Sequence, residues 1–122
     1  MIKSLIIGAG SIGNHLANAS RSRNWDVSVF DIDNNALNRM KNEIYPLRYN
    51  SWDNEIKLIN NINTGCKYDV IFIGTPPDTH VDVAINILKS FSPKILFIEK
   101  PLCSPKNEEI DKIQALIKDK NI

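Results

Sequence analysis

The chain has 122 residues, 43% of them apolar and 24% charged, with a formal net charge of +1. That length makes one domain with a real core, and so small a charge gives no electrostatic reason to expect nucleic acid or an anionic membrane as partner. The first apolar run breaks at Gly8, too early for a signal peptide, and nothing approaches the ~20 apolar residues of a membrane span. Cys66 and Cys103 are too few and too far apart for a zinc site, so no metal is expected. The expected setting is the cytoplasm, with both thiols reduced.

The first element is a short apolar run, Leu5-Ile6-Ile7, without polar alternation, which reads as a buried parallel strand. It stops at Gly8 and opens the pattern G-x-G-x-x-G at Gly8, Gly10 and Gly13. A helix is expected next, with Ile12, Leu16 and Ala19 at i, i+4 and i+7. Strand, glycine turn and helix are the context in which this pattern means a dinucleotide site. Gly8 would allow the tight turn, Gly10 a close approach of backbone to a pyrophosphate, and Gly13 close packing of helix on strand. Ser11 and Ile12 join the cofactor-binding set, because the free N–H groups and positive end of that helix would face the phosphates.

The second strand is Asp26 to Phe30, and it ends in Asp31, 18 residues beyond Gly13. There the fold needs a carboxylate to accept hydrogen bonds from the adenosine ribose. Asp33 adds a second negative charge, and no arginine follows Asp31 at once to hold a 2′-phosphate, so NAD is favoured over NADP. Asp31 could otherwise serve as a helix cap or a solvated turn residue.

Asn34 or Asn35 can cap a short helix with Leu37, Met40 and Ile44 inward, which Pro46 ends. Leu47 to Tyr49 is a plausible edge strand. Ser51 is expected to cap a third helix with Trp52, Ile56 and Ile59 as its buried stripe, closed by Gly65 in a left-handed conformation. Val70 to Ile73 is the fourth strand and ends at Gly74. A helix after Pro77 should bury Val81, Ala84, Ile85 and Leu88, and Ile95 to Ile98 is the fifth strand. Ser104-Pro105 opens the last helix, with Ile110, Ile113 and Ile117 inward.

This alternation predicts an α/β fold, a doubly wound parallel sheet of order 3-2-1-4-5 with helices on both faces and right-handed crossovers. Ligands bind such sheets outside the carboxyl ends of the strands, where the order reverses. Gly8–Gly13, Asp31, Gly74 to His80 and Glu99-Lys100-Pro101 should all lie along that edge.

Together, the glycine turn, Thr75-Pro76 with His80, and Glu99-Lys100-Pro101-Leu102 resemble the glucose-fructose oxidoreductase/inositol dehydrogenase/MocA family, from Met1 to about Lys120. The resemblance implies the NAD-binding domain of an oxidoreductase that moves a hydride between nicotinamide and a sugar, cyclitol or nucleotide-sugar hydroxyl or carbonyl. It implies Lys100 as the catalytic acid/base, Thr75 and Pro76 flanking the nicotinamide half, and Glu99 beside its ribose. The chemistry agrees, since a cation near a carbonyl oxygen stabilises the alkoxide that hydride delivery creates. Standing alone, Lys100 would read as an exposed strand-end lysine paired with Glu99. His80 is either a cofactor contact or a packed helix-start residue, and Cys103 is core filler.

Two departures stand out. Members often carry basic residues directly after the third glycine and a histidine just beyond, whereas Asn14-His15 follows here. The family also continues into a second α/β domain that binds substrate and supplies a further acid/base residue. That domain is expected to be absent from these 122 residues, and an apolar face left by it would favour self-association. Two other readings use the same glycines: a nucleotide-sensing regulatory domain of the potassium-transport type, and a binding module that kept the fold without the chemistry.

Overall fold

The computed structural model describes residues 1–100, 102 and 110–122. The strands are β1 (Lys3–Ile7), β2 (Asp26–Phe30), β3 (Lys57–Ile59), β4 (Val70–Ile73) and β5 (Ile95–Ile98). They form one sheet of order β3-β2-β1-β4-β5, parallel throughout. The helices are α1 (Ser11–Ser22), α2 (Asn34–Arg39), α3 (Tyr45–Tyr49), α4 (His80–Ser90) and α5 (Ile110–Lys120). None of them is long and apolar enough to cross a membrane.

β1 and β4 are central and buried along almost their whole length, as their uninterrupted apolar runs require. Successive strand residues point to opposite faces, and the core divides accordingly. Ile6, Val27, Val29 and Phe72 pack with Ala17 of α1 and with Leu37 and Met40 on one face. Leu5, Ile7, Ile71 and Ile73 pack with Val81, Ala84 and Ile87 of α4 and Ile113 of α5 on the other.

α1 does not use the stripe expected of it. Ile12 is 38% exposed and Ala19 is exposed, while Gly13, Asn14, Ala17 and Ser20 face inward. A Cβ on Gly13 would stand 2.0 Å from the Gly8 carbonyl oxygen. Helix and strand are so close there that only small side chains fit between them, so apolar size misreports which face is buried.

The connection from β2 to β4 departs further. Asp33, not Asn34 or Asn35, caps α2, its carboxylate accepting the Asn35 N–H at 2.9 Å. The helix does not stop at Pro46: Met40–Ile44 forms a wider π turn, in which the Tyr45 N–H reaches the Met40 carbonyl, and α3 follows. Proline inside a regular helix clashes with the carbonyl four residues back, and a wide turn just ahead relieves that conflict. Leu47 to Tyr49 is therefore helix, not strand.

No helix runs from Ser51 to Gly65. Asp53 closes a turn through the Glu55 N–H (2.9 Å), and Lys57–Ile59 is the edge strand, paired with Ser28 to Phe30. Asparagines compete with helix by bonding local backbone; Asn63 Oδ1 does so, taking the Gly65 N–H at 2.8 Å. Gly65 is not left-handed, since Gly8 is the glycine with positive φ. Trp52 and Ile56 are still held inward, Trp52 edge-on to Tyr45 at 5.1 Å. On α4, Ile87 is buried where Ile85 is only partly so. On α5 Ile113 is buried, and Ile110 and Ile117 are partly exposed. The expected cap at Ser104-Pro105, with Pro101 and Cys103, lies outside the described residues.

Candidate cofactor site

The register of the sheet brings the candidate residues to one level. Ile7 pairs with Phe30 and Ile73, and Ile73 pairs with Ile98. The next residue of each strand continues the ladder: Gly8 N–H donates to Phe30 O (2.8 Å), Gly74 N–H to Ile7 O (2.9 Å) and Glu99 N–H to Ile73 O (2.9 Å). Gly8, Asp31, Gly74 and Glu99 thus leave the carboxyl edge side by side. With strands ~4.8 Å apart, Asp31 and Glu99 are separated by roughly 14 Å along that edge.

The glycine turn is built by two close approaches. Gly8 has φ of +112°, a region where L side chains are strained, and a Cβ on it would meet Gly74 O at 2.9 Å. Gly13 is fixed by the Gly8 carbonyl, as above. Asn14, fully buried, donates through Nδ2 to the carbonyls of Ala9 (3.3 Å) and Gly10 (2.8 Å). Its Oδ1 is buried without a partner among the described residues.

Gly10 differs from both. Its φ is −80°, which any residue adopts, and a Cβ there would find no atom within 4 Å. Nothing in the fold demands glycine at this exposed position. The bare backbone faces open space at the N-terminus of α1, where first-turn N–H groups lack intrahelical acceptors and no side chain caps them. This cradle fits a phosphate.

Asp31 closes the other side of the turn. Its Oδ2 accepts the Ala9 N–H (3.0 Å) and its Oδ1 the Asp33 N–H (2.9 Å). Each carboxylate oxygen has a further lone pair to offer, so the carboxylate is aimed and still able to accept from a ribose hydroxyl.

Beside it lies a cleft of about 580 Å³. Of the segments placed along this edge from the sequence, Gly8, Gly10, Asp31, Gly74, Thr75, Pro76 and Thr79 line it. So do Ile32, Ile62, Val83, Asn86 and Ile87, which sequence reading missed. Ile32, 88% exposed between two aspartates, was a legible signal of an apolar lip. Val83, Asn86 and Ile87 fall at i, i+3 and i+4 on α4, one flank of that helix. Such an apolar shelf with one aimed carboxylate suits a nucleoside.

His80 is fully buried. Its Nε2 lies 2.6 Å from the Thr75 carbonyl oxygen, and Thr79 bonds the Thr75 hydroxyl (2.8 Å) and donates to the Pro76 carbonyl (2.6 Å). His80 therefore sets the Thr75-Pro76 loop from behind. Glu99 is half-buried beside Leu16, Phe72 and Phe97, on the α1 side of β5. Lys100 is exposed on the carboxyl edge and does not line the 580 Å³ cleft. Ser11 and Ile12 form the first turn of α1 and are exposed.

On the outer flank of α1, α3 makes three contacts. Arg48 Nη1 and Nη2 donate to the Ser11 carbonyl (2.9 Å) and hydroxyl (2.8 Å), Tyr49 OH meets His15 Nδ1, and Tyr45 OH donates to Asn18 Oδ1 (3.3 Å). Burial first, and the Asp53 charge second, push the Tyr45 phenol above its usual range. Among the described residues no three His, Cys, Asp or Glu side chains gather as a metal site.

The oxidoreductase family with an NAD-binding Rossmann fold, GFO_IDH_MocA, matches residues 2–122 by its sequence profile. No curated protein matches the chain in sequence. Several solved structures share the fold. The WlbA dehydrogenase of Chromobacterium violaceum, in complex with NADH and UDP-GlcNAcA, is 17% identical with a TM-score of 0.71, over 98% of this chain and 33% of that one. GenD2 from gentamicin A biosynthesis, in complex with NAD, is 16% identical with a TM-score of 0.72, over 99% and 32%. The UDP-N-acetylglucosamine 3-dehydrogenase GnnA of Acidithiobacillus ferrooxidans is 19% identical with a TM-score of 0.70, over 99% and 36%. The chain spans about one third of the length of these proteins.

Proposed function

Because the chain belongs to the GFO_IDH_MocA oxidoreductase family with its NAD-binding Rossmann fold, we propose that it is the NAD-holding domain of a dehydrogenase acting on a sugar-like, and in particular a nucleotide-sugar, hydroxyl or carbonyl. The observation that carries this reading is Gly10, a glycine the fold does not need, facing open space at an uncapped helix N-terminus. The nucleotide-sugar part is supported by WlbA and GnnA, whose descriptions name UDP-GlcNAcA and UDP-N-acetylglucosamine.

When bound, the nicotinamide would supply or accept the hydride. Gly8, Gly10 and the first turn of α1 would hold the pyrophosphate, and Asp31 the adenosine ribose. The apolar wall of Ile32, Ile62 and Val83 would cover the adenine. Thr75 and Pro76, kept in place by His80, would flank the nicotinamide half, with Glu99 near its ribose. Lys100 would hold or release a proton at the reacting oxygen, and its exposure on the carboxyl edge leaves its amine accessible.

Gly10→Ala tests the carrying observation. Its cost to folding should stay within about 1 kcal/mol, because a poorer helix cap opposes a smaller unfolded-state entropy. NAD affinity should fall at least about tenfold, equivalent to ~1.4 kcal/mol, as the methyl occupies phosphate space. Calorimetry with NADH checks it, and unchanged affinity would contradict the reading.

Asp31→Ala separates the two cofactors. It removes a ribose acceptor and a repulsion against a 2′-phosphate, so NAD should weaken more than NADP. It also strands the buried Ala9 N–H, which costs ~1–3 kcal/mol of stability. That loss reduces both affinities alike, so the NAD/NADP ratio is the diagnostic. A ratio equal to that of the unmodified chain would remove Asp31 from the site.

A further inference from the structure

Arg48 is an exposed residue of α3, far in sequence from the glycine turn, yet its guanidinium is fixed on Ser11 by two hydrogen bonds of 2.9 and 2.8 Å. Tyr49 to His15 and Tyr45 to Asn18 are neighbouring side-chain contacts between α3 and α1. Ser11, His15 and Asn18 recur at i, i+4 and i+7, so Arg48 is the end of a three-point attachment.

No acidic side chain among the described ion pairs offsets its charge there. The N-terminal end of a helix carries about half a positive charge and prefers anions. The first turn of α1 contains no acidic residue, and its N-cap is the side-chain-free Gly10. The ion pairs among the described residues are Arg21–Asp53, Lys57–Asp26 and Lys94–Asp69, and Arg48 takes part in none. The Asp31 carboxylate accepts from the Ala9 and Asp33 N–H groups. A second cation is thus built onto the cationic end of a helix, and an anion in the Gly10 cradle would relieve both charges.

We propose that Arg48 binds the pyrophosphate of the dinucleotide, reaching it over the first turn of α1 from its anchor on Ser11. The inference rests on the NAD-binding reading of the site. Two of the five guanidinium N–H donors are used on Ser11, which leaves three for phosphate oxygens. Pyrophosphate is favoured over a 2′-phosphate because Ser11 belongs to the first turn of α1, whereas Asp31 and Asp33 make the ribose end negative.

The test is calorimetric titration of NADH and of NADPH into the chain, its Arg48→Gln variant and its Arg48→Lys variant. Arg48→Gln should weaken NADH about tenfold, the low end for a charge-assisted hydrogen bond at an exposed site. NADPH should weaken by the same factor, and Arg48→Lys, a cation without the fork, should lie between. The affinity gap between the unmodified chain and the Arg48→Gln variant should narrow from ~0.05 M to ~0.5 M salt, because an ionic contact is screened. A contact that only held Ser11 in place would give a salt-independent gap, which would overturn the proposal. Equal NADH affinity in Arg48→Gln, or a loss confined to NADPH, would also overturn it. If the unmodified chain fails to bind NADH, the NAD-binding reading falls as well; if it binds and Arg48→Gln binds equally, only this inference falls.

Discussion

On the proposed function, Lys100→Ala in the active dehydrogenase is expected to lower kcat by about 10²-fold or more, the usual contribution of a positioned acid or base. NAD affinity should be nearly unchanged. Lys100 is expected to meet the reacting oxygen and does not line the cleft that Asp31 and Thr75 line. An interaction that strengthens as charge develops on the reacting oxygen affects rate more than ground-state binding. Lys100→Arg should not restore activity, because a guanidinium is bulkier and does not readily give up a proton. Steady-state kinetics together with a separate NADH titration measure both quantities. A kcat within twofold of the unmodified enzyme, about 0.4 kcal/mol, would remove Lys100 from the chemistry and favour the nucleotide-sensing reading of the same glycines.

Gly13→Ala is expected to cost about 3 kcal/mol or more of folding stability, at or beyond the upper end for overpacking. The added methyl would lie 2.0 Å from the Gly8 carbonyl oxygen and 3.0 Å from its carbon. Both are backbone atoms of the turn, so relief requires α1 to move off β1. The better helix propensity of alanine, worth ~1 kcal/mol, opposes this without cancelling it. Against a total of ~5–15 kcal/mol for an ordinary domain, the loss is large. The midpoint of urea unfolding measures it, and an unmoved midpoint would show that α1 is not seated as described. Gly13 and Gly10 thus separate: one alanine breaks the fold, the other the binding.

What could be read from the sequence was what local chemistry fixes. The apolar runs form the central strands β1 and β4, the glycines make the turn into α1, Asp31 directly follows β2, and the strand order follows from the alternation. The helix with Leu37 and Met40 inward is as expected, whereas the stretch from Pro46 to Gly65 departs because its signals depend on distant partners. The Trp52, Ile56 and Ile59 spacing matches a helix, yet Ile59 is strand because Phe30 pairs with it. Pro46 is tolerated in helix because a π turn precedes it. The inward face of α1 was misassigned because contact with β1 selects small residues. Arg48 carries no motif of its own in the sequence. Its partner, Ser11, is 37 residues away, and only the helical path through α3 brings them together.

The central claim, that the Gly8–Gly13 turn, Asp31 and the Thr75-Pro76 loop form one NAD site, is tested most directly by following backbone amide resonances during titration with NADH. The account predicts shifts concentrated at Gly8 to Gly13, Asp31 to Asp33 and Gly74 to Thr79, saturating together with one dissociation constant. The amino-terminal edge of the sheet, at Lys3, Asp26 and Asp69, should stay still. No saturable shift at millimolar NADH, or shifts centred on that opposite edge, would contradict it.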